Sequence, residues 1–285
     1  MTHTAKVWLN GQLIAQHKGG FTPFEADVTA LLRPGETALL TVACDNRVNH
    51  SPLPVGNEDG QLAFFGSDNA GIPSVEAAKR AAAPQNRPNF DFFNYAGIHR
   101  PVVLYTTPKE YIEDVTVVPH TDGRVDYRIQ TVGTAPVAVT VLEADGKAVA
   151  SAEGAAGTLT IPEVQLWEPK PGTPYLYTLH ITCGADVYDQ TFGVRSVEVR
   201  GTQVLLNGKP LYFKGFCKHE DFTAHGRGFD PVLNVKDVNL IHWANANAVR
   251  TSHYPYAEEF YDLCDREGIL VMDETPAVGI GGGGA

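Results

Sequence analysis

The chain has 285 residues, of which 43% are hydrophobic and 19% are charged, values typical of a globular protein with a substantial core. Its formal net charge of −11, with no run of Lys and Arg, argues against nucleic acid and anionic membranes as partners. No apolar stretch reaches transmembrane length, and the first 6 residues lack the apolar region of a signal peptide. The sequence therefore predicts a soluble chain and leaves its compartment undetermined.

Cysteine spacing gives no indication of a metal site. The four cysteines are scattered along the chain and none forms a Cys-x-x-Cys pair: Cys44, Cys183, Cys217 and Cys264. A structural zinc site needs clustered ligands. We therefore expect no bound metal and no other cofactor.

The first segment, residues 1–108, is predicted to be rich in β-strands. Two strands, residues 6–9 and 12–15, flank Asn10-Gly11, which is a strong hairpin signal. A third strand is expected at residues 38–43, and residues 102–105 (VVLY) close the segment. Between them lies a long polar stretch rich in proline and glycine, residues 46–89, and loops of that length are often functional.

The second segment, residues 109–199, has the pattern of an immunoglobulin-like β-sandwich. Short candidate strands follow one another with turn residues between them and without a helical period. The candidates are residues 114–118, 125–132, 138–143, 158–161, 175–183 and 187–192, with Asp145-Gly146 as a hairpin turn. The expected role of this domain is structural.

The third segment, residues 200–285, changes to alternating strands and helices. Strands are expected at residues 213–216, 248–251 and 269–272, with a helix in each interval. This order predicts parallel strands joined by right-handed crossovers. We therefore expect the opening part of a (β/α)₈ barrel in a chain that ends before the barrel closes.

Both predicted helices have recognisable ends. Asp230 followed by Pro231 predicts an N-cap and the first helical position of the first helix. The second helix, residues 256–267, is expected to end at Gly268. The apolar stripe expected to pack the first helix onto the sheet consists of Leu233, Leu240, Ile241 and Ala244.

Each of the three strands ends in polar residues. His219 follows the first strand, His253 the second, and Asp273 and Glu274 the third. Because the C-terminal strand ends of a barrel surround one mouth, we expect His219 and His253 to contact a ligand there. Asp273 and Glu274 are expected to orient Arg250 or a histidine, since Arg250 would point into the barrel and needs an anionic partner. The alternative is that these residues only cap a helix or bond a loop.

Five stretches of the sequence share both residues and order with one known family. They are residues 22–29 (TPFEADVT), 91–100 (DFFNYAGIHR), 215–221 (GFCKHED), 250–259 (RTSHYPYAEE) and 271–274 (VMDE). In these stretches the chain resembles glycoside hydrolase family 2, and within it the members that cleave β-D-glucuronides. The resemblance runs from about residue 2 to residue 279, nearly the whole chain.

The resemblance implies a multidomain β plus α/β protein with three parts. These are a partial jelly-roll sugar-binding domain (1–108), an immunoglobulin-like β-sandwich (109–199) and the N-terminal part of a TIM-barrel catalytic domain (200–285). It also implies that Asp91, on a jelly-roll loop, reaches the sugar together with His253 and His219. A carboxylate there can accept hydrogen bonds from sugar hydroxyls; the alternative is a loop-stabilising Asx turn.

The catalytic residues of the family are expected outside this chain. Retaining glycosidases use two carboxyl groups about 5–5.5 Å apart, and in this family both come from later barrel strands, the acid/base in an Asn-Glu motif. The one Asn-Glu pair present, Asn57-Glu58, lies in the first segment. We therefore expect a fragment, truncated at both ends and inactive alone, that binds a glucuronide. Its candidate protein partners are further copies in a homo-oligomer or a complementing C-terminal part.

Two other functions agree with the sequence. One is a related family 2 β-galactosidase or β-mannosidase, because the basic residues that hold the glucuronate carboxylate also lie later in family members. The other is a non-catalytic carbohydrate-binding or scaffolding module made of the two β-domains. Turnover of different aryl glycosides and titration with glucuronic acid would distinguish the three.

Overall fold

Among the described residues, the first sheet contains three antiparallel strands. The structure is a computed structural model that describes residues 1–47, 53 and 93–277. In the order β2-β1-β3, the strands are β1 Thr4–Leu9, β2 Gln12–Lys18 and β3 Leu40–Asp45. Asn10 and Gly11 have φ angles of 49° and 82°, as the tight turn between β1 and β2 requires. The predicted hairpin is therefore confirmed.

The rest of the first segment adds no further strand in the described residues. Residues 102–105 lie outside any strand, and their four apolar side chains are 62–72% exposed. Of the predicted polar loop, only residues 46, 47 and 53 are described, so Asn57-Glu58 lies outside the described part of the chain.

Seven strands form the immunoglobulin-like sandwich. They are β4 Tyr111–Pro119, β5 Arg124–Val132, β6 Val137–Leu142, β7 Ala148–Glu153, β8 Ala156–Thr160, β9 Tyr177–Cys183 and β10 Asp186–Phe192. The two antiparallel sheets have the orders β4-β5-β8 and β10-β9-β6-β7. Alternate residues such as Val125, Val141 and Leu179 point between the sheets and are fully buried. Strand β7 was not predicted, because its alanine, serine and glutamate residues carry a weak strand signal.

The last part of the chain is the start of a TIM barrel. A three-stranded antiparallel sheet precedes it, formed by β11 Val197–Arg200, β12 Gln203–Leu206 and β13 Lys209–Pro210. Strands β14 Gly215–Lys218, β15 Ala248–Thr251 and β16 Leu270–Met272 form a parallel sheet in that order. The helices α1 Pro231–Trp243 and α2 Glu258–Glu267 connect them, so the predicted alternation is confirmed. Within the described residues, β14 and β16 are edge strands and the barrel is open.

Both helices begin or end where the sequence predicts, but the buried side of α1 differs from the predicted apolar stripe. Asp230 caps α1 with its side chain, and Gly268 ends α2 with a φ of 72°. The buried residues of α1 are Asn234, Val238 and Ile241. Leu240 is 51% exposed and Ala244 is exposed too, because α1 carries apolar residues on two opposite sides. No described helix is long and apolar enough to cross a membrane.

Trp167 fixes the sandwich to the barrel portion. The residue is 1% exposed, and its Nε1 donates a hydrogen bond of 2.8 Å to the backbone oxygen of Asp265 in α2. The Arg195 guanidinium lies 5.3 Å above the Trp167 ring. Nearby, Lys170 Nζ lies 2.6 Å from Glu267 Oε2. These contacts hold the helix that follows the strand leading to His253.

Candidate functional site

Three parallel strands deliver the predicted site residues to one edge of the sheet. His219 follows β14, His253 lies just beyond β15, and Asp273 and Glu274 follow β16 directly. The rings of His219 and His253 meet edge to face, with centroids 5.4 Å apart. The peptide bond between Ser252 and His253 is cis. The sheet therefore brings the two histidines together, as expected for the C-terminal ends of barrel strands.

Glu274 joins Arg250 to His253. Its Oε1 accepts a hydrogen bond of 2.6 Å from Arg250 Nε and also contacts Nη2, while its Oε2 lies 3.1 Å from His253 Nδ1. Arg250 Nη1 donates to Cys217 Sγ at 3.5 Å. The contact with Cys217, and then that with Glu274, raise the pKa of Arg250 above its ordinary value. Glu274 is thus an anionic partner of Arg250, and it also contacts His253.

Asp273 has different partners. Its Oδ1 accepts hydrogen bonds of 2.7 Å from both Thr251 Oγ1 and the Tyr261 hydroxyl. Burial, and then the bond to Asp273, raise the pKa of Tyr261. Among the described residues, Glu274 contacts both Arg250 and a histidine, whereas the bonds of Asp273 tie β16 to β15 and α2.

Glu220 connects the loop after β14 to the first domain. Its Oε1 accepts from the backbone nitrogen of Ala257 at 3.1 Å, at the start of α2, and its Oε2 lies 3.3 Å from Arg100 Nη2. Arg100 also donates to the backbone oxygens of Phe21 at 2.5 Å and Pro255 at 2.6 Å. One guanidinium therefore ties the first domain to two loops of the barrel portion.

Asp91, the predicted sugar contact from the first domain, lies outside the described residues. The segment that follows it does contact the barrel portion. The His99 backbone oxygen accepts from the Phe229 nitrogen at 2.8 Å. The rings of Phe21 and Tyr254 stack with centroids 4.2 Å apart. The first domain is therefore packed beside the loop that contains His253.

Comparison with known proteins agrees with this architecture along the whole chain. Residues 1–108 match the sugar binding domain of glycosyl hydrolases family 2, and residues 106–195 match glycosyl hydrolases family 2. Residues 197–283 match the family's TIM barrel domain. This chain belongs to glycoside hydrolase family 2.

Similar members of family 2 are β-glucuronidases. A solved structure of Faecalibacterium prausnitzii β-glucuronidase is 92% identical with a TM-score of 0.90, and the match covers 99% of this chain and 47% of that one. Bifidobacterium dentium β-glucuronidase, complexed with coumarin-3-O-glucuronide, is 51% identical with a TM-score of 0.87, covering 98% and 48%. Paenibacillus borealis β-glucuronidase is 44% identical over 97% of this chain and 46% of its own length. This chain spans just under half the length of these relatives.

Among the described residues, a small cavity lies beside His219. A cavity of about 30 Å³, lined by Arg100, His219, Asp221 and Asn234 among others, has room for about two water molecules. A ligand of the size of a sugar does not fit inside this cavity. The described residues contain no group of three or more His, Cys, Asp or Glu side chains placed to hold a metal ion.

The loop and arginine residues that join the domains of this family 2 chain are not among the predicted site residues. Glu220 and Asp221 follow a predicted strand end, which was a usable signal. Arg100 and Arg227 carry no such signal, because Arg100 bonds the distant Pro255 and the rings around Arg227 come from other segments of the chain. A buried arginine is recognisable from its environment and not from its neighbours in sequence.

His99 is expected to make the free energy of unfolding fall as the pH is lowered below about 6.5. The residue is 8% exposed, and burial, followed by the charges of the Met1 amine, Arg100 and Arg227, lowers its pKa to about 2. The unfolded chain, with an ordinary histidine pKa, binds one proton more between these two values. The contribution of His99 to the free energy of unfolding is therefore fully present above about pH 6.5. Below that pH it falls by up to about 1.4 kcal/mol per pH unit.

Urea denaturation between about pH 5 and about pH 7 measures this slope. His99→Gln should flatten the dependence, because glutamine does not titrate. His180→Gln is the control, since His180 is partly exposed on the sandwich and pairs with Asp189. The assignment would be contradicted by a slope that His99→Gln leaves as steep as before.

Proposed function

We propose that this chain is the N-terminal portion of a retaining β-glucuronidase and supplies part of the wall that holds the glucuronide. The observation that carries the proposal is the cluster of His219, His253 and Glu274 at neighbouring strand ends. It occurs in a chain 92% identical, over 99% of its length, to Faecalibacterium prausnitzii β-glucuronidase. The proposed substrate class is therefore β-D-glucuronides.

The two histidines are suited to hold sugar hydroxyls, because a neutral imidazole offers one donor and one acceptor nitrogen. Glu274 binds His253 at Nδ1 and so fixes the orientation of its ring. Arg250 in turn holds Glu274. Such support matters because a sugar has to be placed to within a fraction of an ångström for efficient catalysis. In this proposal Asp91 adds a hydrogen-bond acceptor from the first domain.

The catalytic carboxylates are proposed to come from the rest of the enzyme. A retaining glycosidase needs a nucleophile and an acid/base about 5–5.5 Å apart across the glycosidic bond. At the strand ends, Asp273 and Glu274 are already bonded to Thr251, Tyr261, Arg250 and His253: each has a supporting role in the described site. We therefore expect no hydrolysis by this chain alone.

The barrel portion also offers a surface for the rest of the enzyme. Strands β14 and β16 are the edges of the described sheet, and Tyr212, Phe216 and Trp243 are 79%, 51% and 85% exposed. Open sheet edges and exposed apolar groups are usually covered by a partner. A complementing C-terminal part is the proposed partner, and further copies of this chain are the alternative.

The test is the release of a chromophore from an aryl β-D-glucuronide. It compares this chain with the completed enzyme, defined as this chain joined to the C-terminal part of Faecalibacterium prausnitzii β-glucuronidase. We expect background turnover for the chain and turnover at least about 1000-fold higher for the completed enzyme. Aryl β-galactoside and β-mannoside should be poor substrates.

Three outcomes would contradict this proposal. Hydrolysis by the isolated chain would place catalytic residues within it. An inactive completed enzyme, or one that prefers a galactoside or mannoside, would refute the glucuronidase assignment. Calorimetric binding of glucuronic acid by the chain, together with an inactive completed enzyme, would support a non-catalytic binding module instead.

A further inference from the structure

In the loop after β14, Asp221 contacts both His219 and Arg227. Asp221 Oδ2 lies 3.7 Å from His219 Nδ1, and Asp221 Oδ1 accepts a hydrogen bond of 3.2 Å from Arg227 Nε. The side chains of Arg227 and Asp221 are 1% and 15% exposed. The two oxygens of the Asp221 carboxylate therefore face different neighbours: Oδ2 faces His219 and Oδ1 faces Arg227.

Arg227 is held by aromatic rings from two domains. Its guanidinium carbon lies 4.3 Å from the ring centroid of Tyr254, 5.3 Å from that of Phe21 and 5.5 Å from that of Tyr95. Phe21 and Tyr95 belong to the first domain, and Tyr254 directly follows His253 in the barrel portion. A buried planar guanidinium among such rings is restricted in orientation, so Arg227 is a fixed support for Asp221.

Asp221 is ionised at neutral pH. Burial alone would raise the pKa of its carboxyl group, but the nearby His219 and the charge of Arg227 lower it below its ordinary value. A carboxylate 3.7 Å from an imidazole nitrogen attracts a proton on that nitrogen. Asp221 therefore favours the ring orientation and tautomer of His219 that direct an Nδ1 proton toward it.

We propose that Asp221 is a positioning residue that holds His219 in the orientation in which it contacts the glucuronide. Arg227 supports Asp221, and through its aromatic neighbours it makes this orientation depend on the docked first domain. The inference rests on the proposed function, which gives His219 its ligand. Asp221 acts on the substrate only through His219.

A double-mutant cycle in the completed enzyme tests this dependence. The variants are Asp221→Asn, His219→Ala and the combination, compared by kcat and KM on the aryl β-D-glucuronide. We expect Asp221→Asn to lower kcat/KM by about 10- to 100-fold. In the His219→Ala background the same change should alter kcat/KM by less than about 2-fold, because the positioned ring is gone. Equal losses in both backgrounds would mean a general structural role and would overturn the proposal.

The single variants separate this proposal from the proposed function. If His219→Ala leaves glucuronide turnover unchanged, His219 does not contact the sugar and the positioning role of Asp221 is overturned, while the glucuronidase assignment stands. If His219→Ala is damaging and Asp221→Asn is silent, only the positioning role is overturned. Asp122→Asn is the matched control, because Asp122 is an exposed carboxylate that pairs with Arg124 in the sandwich.

A second double-mutant cycle is used if the Asp221→Asn enzyme does not fold. That change removes the negative charge opposite the buried Arg227, which is strongly destabilising in many proteins. Asp221→Asn combined with Arg227→Met removes both charges and keeps an apolar chain against the rings. We expect the same dependence on His219 in this background, and additive losses would overturn the proposal. Circular dichroism establishes that each variant is folded.

Discussion

Replacing Trp167 by alanine is expected to lower the free energy of unfolding of the chain by about 3–5 kcal/mol. Trp167 is 1% exposed between the sandwich and the barrel portion, so its removal leaves a cavity there. The change also takes away the Nε1 donor of the backbone oxygen of Asp265. Urea denaturation followed by circular dichroism measures the effect.

Trp243→Ala is the matched control for this prediction. Trp243 is the same residue type in the same chain, but it is 85% exposed at the end of α1. Its replacement should change the free energy of unfolding by less than about 0.5 kcal/mol. Similar losses for both tryptophans would show that Trp167 does not hold the domains together in the way its contacts indicate.

Replacing Glu274 by glutamine is expected to lower kcat/KM of the completed enzyme on an aryl β-D-glucuronide by about 100-fold or more. Glutamine keeps the size of the side chain but removes the charge that pairs with Arg250 and orients His253. Arg250 would lose its carboxylate partner at the strand ends, and the imidazole of His253 would lose its fixed orientation. Steady-state kinetics on the purified completed enzyme gives the result.

Glu258→Gln is the control for Glu274→Gln. Glu258 is exposed in the first turn of α2, so the same change of charge there should leave kcat/KM unaffected. A Glu274→Gln enzyme that is folded and fully active would rule out this carboxylate as the support of His253. Equal losses of kcat/KM in the Glu274→Gln and Glu258→Gln enzymes would indicate a general effect of removing a negative charge.

These two residues have different functions in one assembly. Trp167 fixes the sandwich to α2, the helix that packs beside the parallel sheet. Glu274 acts at the strand ends of that sheet, where Arg250 and His253 meet it. The sandwich therefore contributes to the site only indirectly, by holding the scaffold that carries it.

Much of the fold could be predicted because its signals are local. Asn10-Gly11 can adopt the positive φ angles of a tight hairpin, and Asp230 before Pro231 marks a helix start, whatever the rest of the chain does. The alternation of strands and helices after β13 predicted a parallel sheet, and that in turn placed His219 and His253 at one edge. Their convergence followed from topology alone.

Other features depend on which distant surfaces meet. The packed side of α1 could not be chosen from its sequence, because apolar residues such as Ile241 and Leu240 lie on different sides of the helix. The sequence also could not predict which partners Asp273 and Glu274 would each have, because both are carboxylates at the end of one strand. Strand β7 was missed because its pairing with β6, and not its composition, makes it a strand.

The sequence by itself determined the turns, the helix ends, the order of strands and helices, and the polar residues at the strand ends. It did so because hydrogen bonding within a turn or cap and the period of apolar residues are properties of neighbouring residues. Only the tertiary structure decided that Glu274 contacts His253, and that Arg227 is enclosed by Phe21 and Tyr254 and pairs with Asp221. Asp221 lies in the same loop as Arg227, but the rings of Phe21 and Tyr254 come from other segments, so their packing around Arg227 exists only once the domains have met.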